Sequence, residues 1–159
     1  MISGISHDLR TPLTTIKGYL ERIMTGIVII PAFRPDEKQI SLAEQIWDFG
    51  NEVIVVDDGS GEEYQNIFVE VRKIGIVIHH GENRGKDAAI KTALEYIGRE
   101  FWNLDVVGIM DADGQHLPED MEKLLMKANT HKMTMILGVR DIGKDMPFKS
   151  TITVMTAES

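Results

Sequence analysis

The sequence predicts an α/β protein in which a mostly parallel sheet carries flanking helices and an amphipathic helix precedes the sheet. Three observations support this fold class. Short apolar runs alternate with amphipathic segments between residues 27 and 140, which is typical of a parallel sheet with helices on both faces. The runs "IVIIPAF", "EVIVV" and "DVVGIM" are apolar throughout, as expected of strands covered on both sides. Residues 1–25 instead repeat apolar side chains at helical spacing.

The composition restricts the function. The 159 residues include no cysteine, which excludes disulfides, thiolate zinc sites and cysteine nucleophiles. The formal net charge of -8 argues against a nucleic-acid partner, because such proteins usually carry a basic face. No apolar stretch reaches the roughly 18 residues of a membrane-spanning helix, and the N-terminus lacks the form of a signal peptide. We therefore expect a cytoplasmic protein, with peripheral binding at the inner face of the membrane compatible with this location.

Helix and strand signals follow in order through the first half of the chain. Residues 1–25 are predicted to form a helix that Gly26 ends, and "IVIIPAF" is the first strand. Pro35 and Asp36 predict the start of the next helix, with Gly50 as its stop. "EVIVVDDGS" is the second strand with a turn at its end, "EEYQNIFVEVRKIG" a helix and "IVIHH" the third strand. The apolar stripe of the first helix consists of Ile2, Ile5, Leu9, Leu13, Ile16, Leu20 and Ile23.

The second half continues the alternation. "GENRG" is predicted to be a loop, and "KDAAIKTALEYIG" a helix with Ala89, Ala93 and Ile97 among its inward residues. "DVVGIM" is a strand, Pro118 opens a further helix, and "MTMILGVR" is predicted to be the last strand. No element is predicted for the tail "KSTITVMTAES".

Charged side chains follow several of the predicted strands. Asp57 and Asp58 follow the second strand, Asp111 and Asp113 follow "VVGIM", and Arg140 follows "ILGV". In open α/β sheets ligands bind beyond the carboxyl ends of the strands, so we expect these groups to meet at one edge. Closely spaced carboxylates hold hard divalent cations, which in turn neutralise a diphosphate. The simpler alternative is that Asp, Gly and Ser occur here as ordinary turn residues.

Other ligand-binding motifs do not fit. "GENRGKD" has three residues between its glycines and Asp87 where a P-loop has Ser or Thr. "DADGQHLPEDME" has its glycine at the fourth place, and Pro118 interrupts it, so it is not a calcium loop. The chain contains no G-x-G-x-x-G motif for a dinucleotide and no G-x-S-x-G motif for a hydrolase.

Five motifs in a fixed order resemble the N-terminal part of a family 2 glycosyltransferase with the Rossmann-like GT-A fold. They are "VIIPAF", "VIVVDDGS", "ENRGKDAAIKTALEYI", "GIMDADGQHLPED" and "ILGVRD". The branch that glycosylates polyprenyl phosphates is the most similar. The resemblance implies metal-dependent, inverting transfer of a sugar from a UDP or GDP sugar to a polyprenyl phosphate or another cell-envelope acceptor. It ends near Ser150, whereas the family continues with acceptor-binding elements.

The same resemblance implies where the donor binds. Pro31, Ala32 and Phe33 would border the nucleotide, and the acidic pair of Asp57 and Asp58 would bind it, with Asp58 at the base. Arg34 stands where the family often has Asn, and Asp87 stands where Gly is usual.

The resemblance implies the chemistry of the acidic motif as well. Asp111 would lie near the ribose and sugar, and Asp113 would hold Mg²⁺ or Mn²⁺ with help from Gln115. Asp111 and Asp113 are therefore the candidate catalytic residues. Lys86 and Arg140 are candidate contacts to phosphate or sugar.

The N-terminal "SHDLRTPLTTIKGYLE" resembles the phosphoacceptor box of sensor histidine kinases. In that reading His7 would accept a phosphoryl group with help from Asp8. We assign residues 1–25 to a partial segment of this kind and residues 26–159 to the glycosyltransferase domain. A phosphotransfer fragment and an inactive nucleotide-binding remnant remain the alternative functions. His79 and His80 are interpreted as strand-end residues, since no histidines share metal-ligand spacing.

Overall fold

The computed structural model describes residues 26–101, 106–112, 117–130, 136–139 and 151–156. Over these residues the chain forms a six-stranded sheet with helices packed on both faces. The predicted fold class, α/β with a mostly parallel sheet, is confirmed. The helix predicted for residues 1–25 lies outside the described residues.

The described elements alternate along the chain as predicted. The first described helix has Glu37 at its cap position, so Asp36 lies one residue before the predicted place. Oδ1 of Asp36 accepts a hydrogen bond from the backbone N–H of Lys38 at 2.9 Å. Gly50 follows that helix with a φ of 94°, which favours glycine. The strands are β1 (Ile27–Ala32), β2 (Glu52–Asp57), β3 (Ile76–His79), β4 (Val106–Ile109), β5 (Ile136–Val139) and β6 (Thr151–Thr156). The helices are α1 (Lys38–Asp48), α2 (Gln65–Arg72), α3 (Lys86–Glu100) and α4 (Pro118–Thr130).

The order of strands across the sheet is β3-β2-β1-β4-β6-β5. The strands β1 to β4 are parallel, and β6 runs antiparallel to both β4 and β5. The chain builds outward from β1 to β2 and β3, and then returns through α3 to place β4 on the other side of β1. This reversal creates a topological switch point between β1 and β4.

Alternate residues of each central strand enter two separate cores. Val28 and Ile30 of β1 pack towards α1, α2 and α4, whereas Ile27 and Ile29 pack towards α3. All four side chains are fully buried, which explains why the strand sequences are continuously apolar rather than alternating. The two cores fix the sheet between its helices and hold the carboxyl ends of the parallel strands at one edge. Among the described residues, no helix is long and apolar enough to cross a bilayer.

Two predictions about elements were wrong. The tail contains a strand, β6, which lies between β4 and β5, so the strand within "MTMILGVR" is not the last one. The segment predicted as one helix from Glu62 is a 3₁₀ turn at Glu62–Tyr64 followed by α2. Neither error alters the edge where the parallel strands end.

Candidate functional site

The crevice at the switch point opens just after β1. Pairing of β1 with β4 ends at Ile29 with Ile109, followed by one bond from the N–H of Met110 to the carbonyl of Ile29 at 2.9 Å. Pro31 lies beyond the last residue pair of β1 and β4 and stays in register with β2. The N–H that proline lacks is therefore not needed to pair these strands. The two strands are therefore free to separate where a ligand of an open α/β sheet is expected.

The segment after β1 presents an aromatic ring at this edge. Ala32 is buried, Pro31 is half-buried and Phe33 is 46% exposed. The guanidinium of Arg34 lies 5.1 Å from the centre of the Phe33 ring. The backbone N–H of Arg34 donates to Oγ of Ser60 at 2.9 Å, which ties this segment to the loop after β2.

Asp57, the last residue of β2, is buried and bonded within the protein. Its Oδ1 accepts from the N–H of Ser60 at 2.8 Å, and its Oδ2 lies 2.8 Å from Nδ1 of His79. Nε2 of His79 lies 2.7 Å from the guanidinium of Arg72, which only donates. Nδ1 of His79 therefore carries the proton and donates to Asp57.

Asp58 is bonded to a different set of partners. Its Oδ1 lies 2.7 Å from Nδ1 of His80 and accepts from the N–H of Arg84 at 3.0 Å. Its Oδ2 accepts from the N–H of Gly85 at 2.8 Å. The carboxylate thus holds the loop between β3 and α3 against the end of β2.

Hydrogen bonds keep both carboxyl groups ionised. Burial by itself raises the pKa of Asp57, but hydrogen bonds from Ser60 and His79 outweigh it, and the pKa is lowered from 3.8. Burial likewise raises the pKa of Asp58, and bonds from Arg84, His80 and Gly85 lower it below the same value. The pair is therefore negatively charged near neutral pH.

An ion pair crosses the edge from α3 to β4. Nζ of Lys86, the first residue of α3, contacts Oδ1 of Asp111 just after β4. The Lys86 side chain is 51% exposed and that of Asp111 24%, so water reaches both. A lysine at a helix N-terminus opposes the helix dipole, and the carboxylate of Asp111 offsets this. The structure thus brings an ammonium group and a carboxylate together beside the crevice.

Other predicted site residues fall outside the described residues. They are His7, Asp113, Gln115 and Arg140. Within the residues that the structure describes, no group of three or more His, Cys, Asp or Glu side chains has the arrangement of a metal site. Asp111 is therefore the described member of the acidic motif, and the roles of Asp113 and Gln115 stay predictions.

Sequence reasoning missed the two histidines that hold the acidic pair. His79 and His80 were interpreted as strand-end residues, yet each is bonded to one of the aspartates. Their position in the sequence could have indicated these contacts. "HH" stands at the end of β3 and "DD" at the end of β2, and neighbouring parallel strands end at the same edge. Asp57 and His79 are direct partners in the strand register.

Residues 28–154 match the family described as "Glycosyl transferase family 2". The chain belongs to this family. The match extends past Ser150, where we expected the resemblance to end, and it includes most of β6. The family 2 chain therefore uses the antiparallel strands β5 and β6 as part of its family fold.

Curated relatives of the family 2 chain include one named enzyme and two uncharacterized proteins. A Methanococcus voltae protein named "UDP-N-acetylglucosamine--dolichyl-phosphate N-acetylglucosaminyltransferase" is 25% identical over 131 residues, 71% of this chain and 51% of that protein. Two uncharacterized Methanocaldococcus jannaschii proteins are 29% and 31% identical, over 72% and 74% of this chain and 51% and 47% of theirs. The chain thus spans about half the length of the curated relatives it matches.

Solved structures share the fold. S. aureus TarS has a TM-score of 0.53 and 24% identity, covering 77% of this chain and 39% of TarS. TarS in complex with UDP has a TM-score of 0.52 at the same identity, with 77% and 38% covered. The structure of 4-diphosphocytidyl-2C-methyl-D-erythritol synthase has a TM-score of 0.54 and 11% identity, with 82% and 72% covered. These likenesses concern the fold alone.

A second match overlaps the first. Residues 1–46 match the "His Kinase A (phospho-acceptor) domain", so residues 28–46 match both families. In the structure these shared residues form most of β1 and the greater part of α1. Since β1 is paired on both sides within the sheet, the overlapping residues belong structurally to the family 2 domain.

Proposed function

We propose that the chain binds a nucleotide-diphosphate sugar of UDP or GDP type as the donor part of a family 2 glycosyltransferase. The observation that carries this proposal is the set of Asp58, Lys86 and Asp111 at the carboxyl edge beside the switch point. The family match and the nucleotide sugar in the name of the M. voltae relative support it. The UDP complex of TarS is consistent with the same class of ligand.

Lys86 is suited to the diphosphate. Its ammonium group is half-exposed, and it lies at the start of a fifteen-residue helix whose first N–H groups favour an anion. Its ion pair with Asp111 holds the ammonium group beside the crevice when no ligand is bound. Phe33, exposed after β1, offers an apolar surface for the base or ribose.

The predicted metal ligands are chemically suited to Mg²⁺ or Mn²⁺. These ligands, Asp113 and Gln115, carry carboxylate and amide oxygens, the donors that hard divalent cations prefer. Asp113 would hold the ion with Gln115, and Asp111 would lie nearer the ribose and sugar. When bound, the ion would supply charge neutralisation to the diphosphate leaving group.

We assign the transfer to the inverting type, with a polyprenyl phosphate or another cell-envelope group as acceptor. The dolichyl-phosphate acceptor in the relative's name supports this choice. An acceptor oxygen forms a bond to the anomeric carbon opposite the diphosphate, and the departing oxygen takes the bonding electrons. A phosphate monoester with a second pKa of about 6 is already largely dianionic at neutral pH, so it needs no general base. Such an acceptor would place the chain at the inner membrane face.

Calorimetric titration with UDP, GDP and their sugars tests the proposal. Binding is expected with Mn²⁺ or Mg²⁺ and not in the presence of a chelator. Asp113→Ala should abolish the metal dependence, whereas Asp120→Ala, at a half-exposed position on α4, should not. Lys86→Met should weaken binding about tenfold through loss of a charged contact, and Lys91→Met serves as its control. Equal affinity with and without metal would contradict the metal role.

The match of residues 1–46 favours one second candidate, phosphotransfer at His7. The test is incubation with a histidine kinase and with ATP alone, followed by detection of acid-labile phosphate. We expect none with ATP alone, because residues 28–154 form a glycosyl transferase domain rather than a kinase ATP-binding domain. Labelling of His7 by an added kinase, absent in His7→Gln, would support phosphotransfer.

A further inference from the structure

His80 lies at the centre of a buried hydrogen-bonded chain that joins β2, β3 and α3. Its Nδ1 is 2.7 Å from Oδ1 of Asp58, and its Nε2 is 2.8 Å from Oγ1 of Thr92 on α3. The side chains of His80 and Asp58 are each 5% exposed. A buried network of this kind restricts its members to one arrangement when all its polar atoms are paired.

The positions of the protons in this hydrogen-bonded chain follow from the chemistry of its side chains. The carboxylate of Asp58 accepts hydrogen bonds only, so Nδ1 of His80 carries a proton and donates. The hydroxyl of Thr92 both donates and accepts, so Nε2 is satisfied with or without a proton. The series of hydrogen bonds that joins Asp58, His80 and Thr92 is therefore complete in either charge state of the imidazole.

Asp58 also bonds to the backbone immediately before α3. Its two oxygens also accept from the N–H groups of Arg84 and Gly85. Gly85 has a φ of 91° and immediately precedes α3, and its carbonyl accepts from the N–H of Ala89 at 3.1 Å. The next residue is Lys86, which forms the ion pair with Asp111. The position of the ammonium group thus depends on the orientation of the Asp58 carboxylate.

We infer that His80 is a positioning residue of the donor site, which fixes the Asp58 carboxylate and through it the loop at residues 81–85 and Lys86. This inference rests on the proposed donor function of Lys86. The side chain of His80 is itself buried and does not need to contact the ligand. Its effect on the ligand is indirect, through the geometry of the loop and the first residue of α3.

The neighbouring pair provides an internal control. Nδ1 of His79 bonds to Oδ2 of Asp57 at 2.8 Å, whereas Nδ1 of His80 bonds to Oδ1 of Asp58. Its side chain is 32% exposed and packs edge-on against Phe68 of α2, on the opposite face of the sheet. Neither Asp57 nor His79 bonds to the N–H groups of Arg84 or Gly85. Loss of the His79 bond should therefore leave those amides unchanged.

Two substitutions of His80 separate its two bonds. In His80→Asn the side-chain amide takes the place of Nδ1 and keeps the bond to Asp58. In His80→Gln the amide reaches the place of Nε2, towards Thr92, and the bond to Asp58 is lost. Thr92→Val removes the hydroxyl with little change of shape. His79→Gln removes the bond to Asp57 in the same way and is the control on the other face.

The experiment measures amide hydrogen exchange at Arg84 and Gly85, together with the affinity for UDP or GDP in the presence of Mn²⁺. For His80→Gln we expect about tenfold faster exchange at both amides and about tenfold weaker nucleotide binding, in line with the loss of a charged hydrogen bond. His80→Asn should restore both values to within about threefold of wild type. Thr92→Val should be intermediate, and His79→Gln should leave both amides at wild-type exchange.

Wild-type exchange and affinity in His80→Gln would overturn the inference. Equal loss in His80→Asn and His80→Gln would also overturn it, because it would indicate a general packing role. If the wild-type chain bound no nucleotide, the proposed function would fail, and the exchange at Arg84 and Gly85 alone would decide whether His80 orders the loop.

Discussion

Asp58 has little acceptor capacity left for a ligand. A carboxylate has about four lone-pair positions, and three are engaged by His80, Arg84 and Gly85. The contact between Asp58 and the base, implied by the family resemblance, stays a prediction and would have to use the remaining position. At the scale of single residues, the acidic pair therefore acts on the site indirectly, by fixing the loops to which it is hydrogen-bonded.

The low pKa of Asp58 makes the stability depend on pH. A carboxyl group with a pKa lowered from 3.8 contributes stability that is present above that value and is lost as the pH falls through its folded-state pKa. In Asp58→Asn this contribution is absent. We expect the free energy of unfolding of wild type to fall more steeply than that of Asp58→Asn between about pH 5 and about pH 3.

Urea unfolding at a series of pH values measures this difference. Asp120→Asn, on the half-exposed surface of α4, is the matched control and should follow the wild-type profile. Parallel profiles for wild type and Asp58→Asn would show that the Asp58 bonds do not stabilise the ionised form.

Arg34 occupies a backbone conformation that suits another residue. Its φ is 50°, in the left-handed region where Asn and Gly are most easily accommodated. Asparagine, the residue that the family resemblance implies here, tolerates this conformation more readily than arginine. The bond from the N–H of Arg34 to Ser60 and the contact with Phe33 hold the arginine there.

At the scale of elements, the loops after β2 and β3 touch through their backbones. A Cβ placed on Gly59 would lie 2.3 Å from the carbonyl carbon of Glu82 and 2.5 Å from the nitrogen of Asn83. Gly59 also has a φ of 74°. This close approach lets the Asp58 carboxylate reach the N–H groups further along the second loop.

Gly59→Ala should therefore separate the two loops. We expect a loss of about 3 kcal/mol or more in the free energy of unfolding, from backbone strain and the clash together. The matched control is Gly81→Ala in the second loop, where a Cβ meets nothing within 4 Å. That change should stay within about 0.5 kcal/mol of wild type. Urea unfolding followed by circular dichroism measures both, and similar stability of the two variants would refute the backbone contact.

At the scale of the whole molecule, the chain contains the sheet edge where we propose that the donor binds, and it spans about half the length of its curated relatives. Transfer requires donor and acceptor to be held together, and orientation contributes on the order of 7 kcal/mol or more to lowering the barrier. We expect the 159-residue chain to bind nucleotide sugar but to transfer the sugar poorly to a polyprenyl phosphate.

Parallel assays of donor binding, donor hydrolysis and lipid-phosphate glycosylation measure this difference. A longer family 2 relative, such as the M. voltae enzyme, provides the positive control for transfer. Robust transfer by the 159-residue chain would show that the residues present already form an acceptor site.

Much of the fold was predictable because burial acts on each segment separately. A strand such as Ile27–Ala32, covered on both faces, has to be apolar throughout, and a helix such as Lys86–Glu100 has to repeat its apolar residues every three or four positions. The strand at Thr151–Thr156 was missed because "TITVMT" mixes threonine with apolar residues, and its pairing with β4 and β5 is decided at long range.

The sequence by itself determined the α/β class, the parallel strands and the edge where Asp57, Asp58 and Asp111 gather. These follow from periodicity and from the rule that parallel strands end together. Only the tertiary structure decided that His79 and His80 bond to the acidic pair, and that Lys86 reaches Asp111. Such bonds join residues far apart in the chain at distances of a few ångströms, and periodicity within a segment carries no information about them.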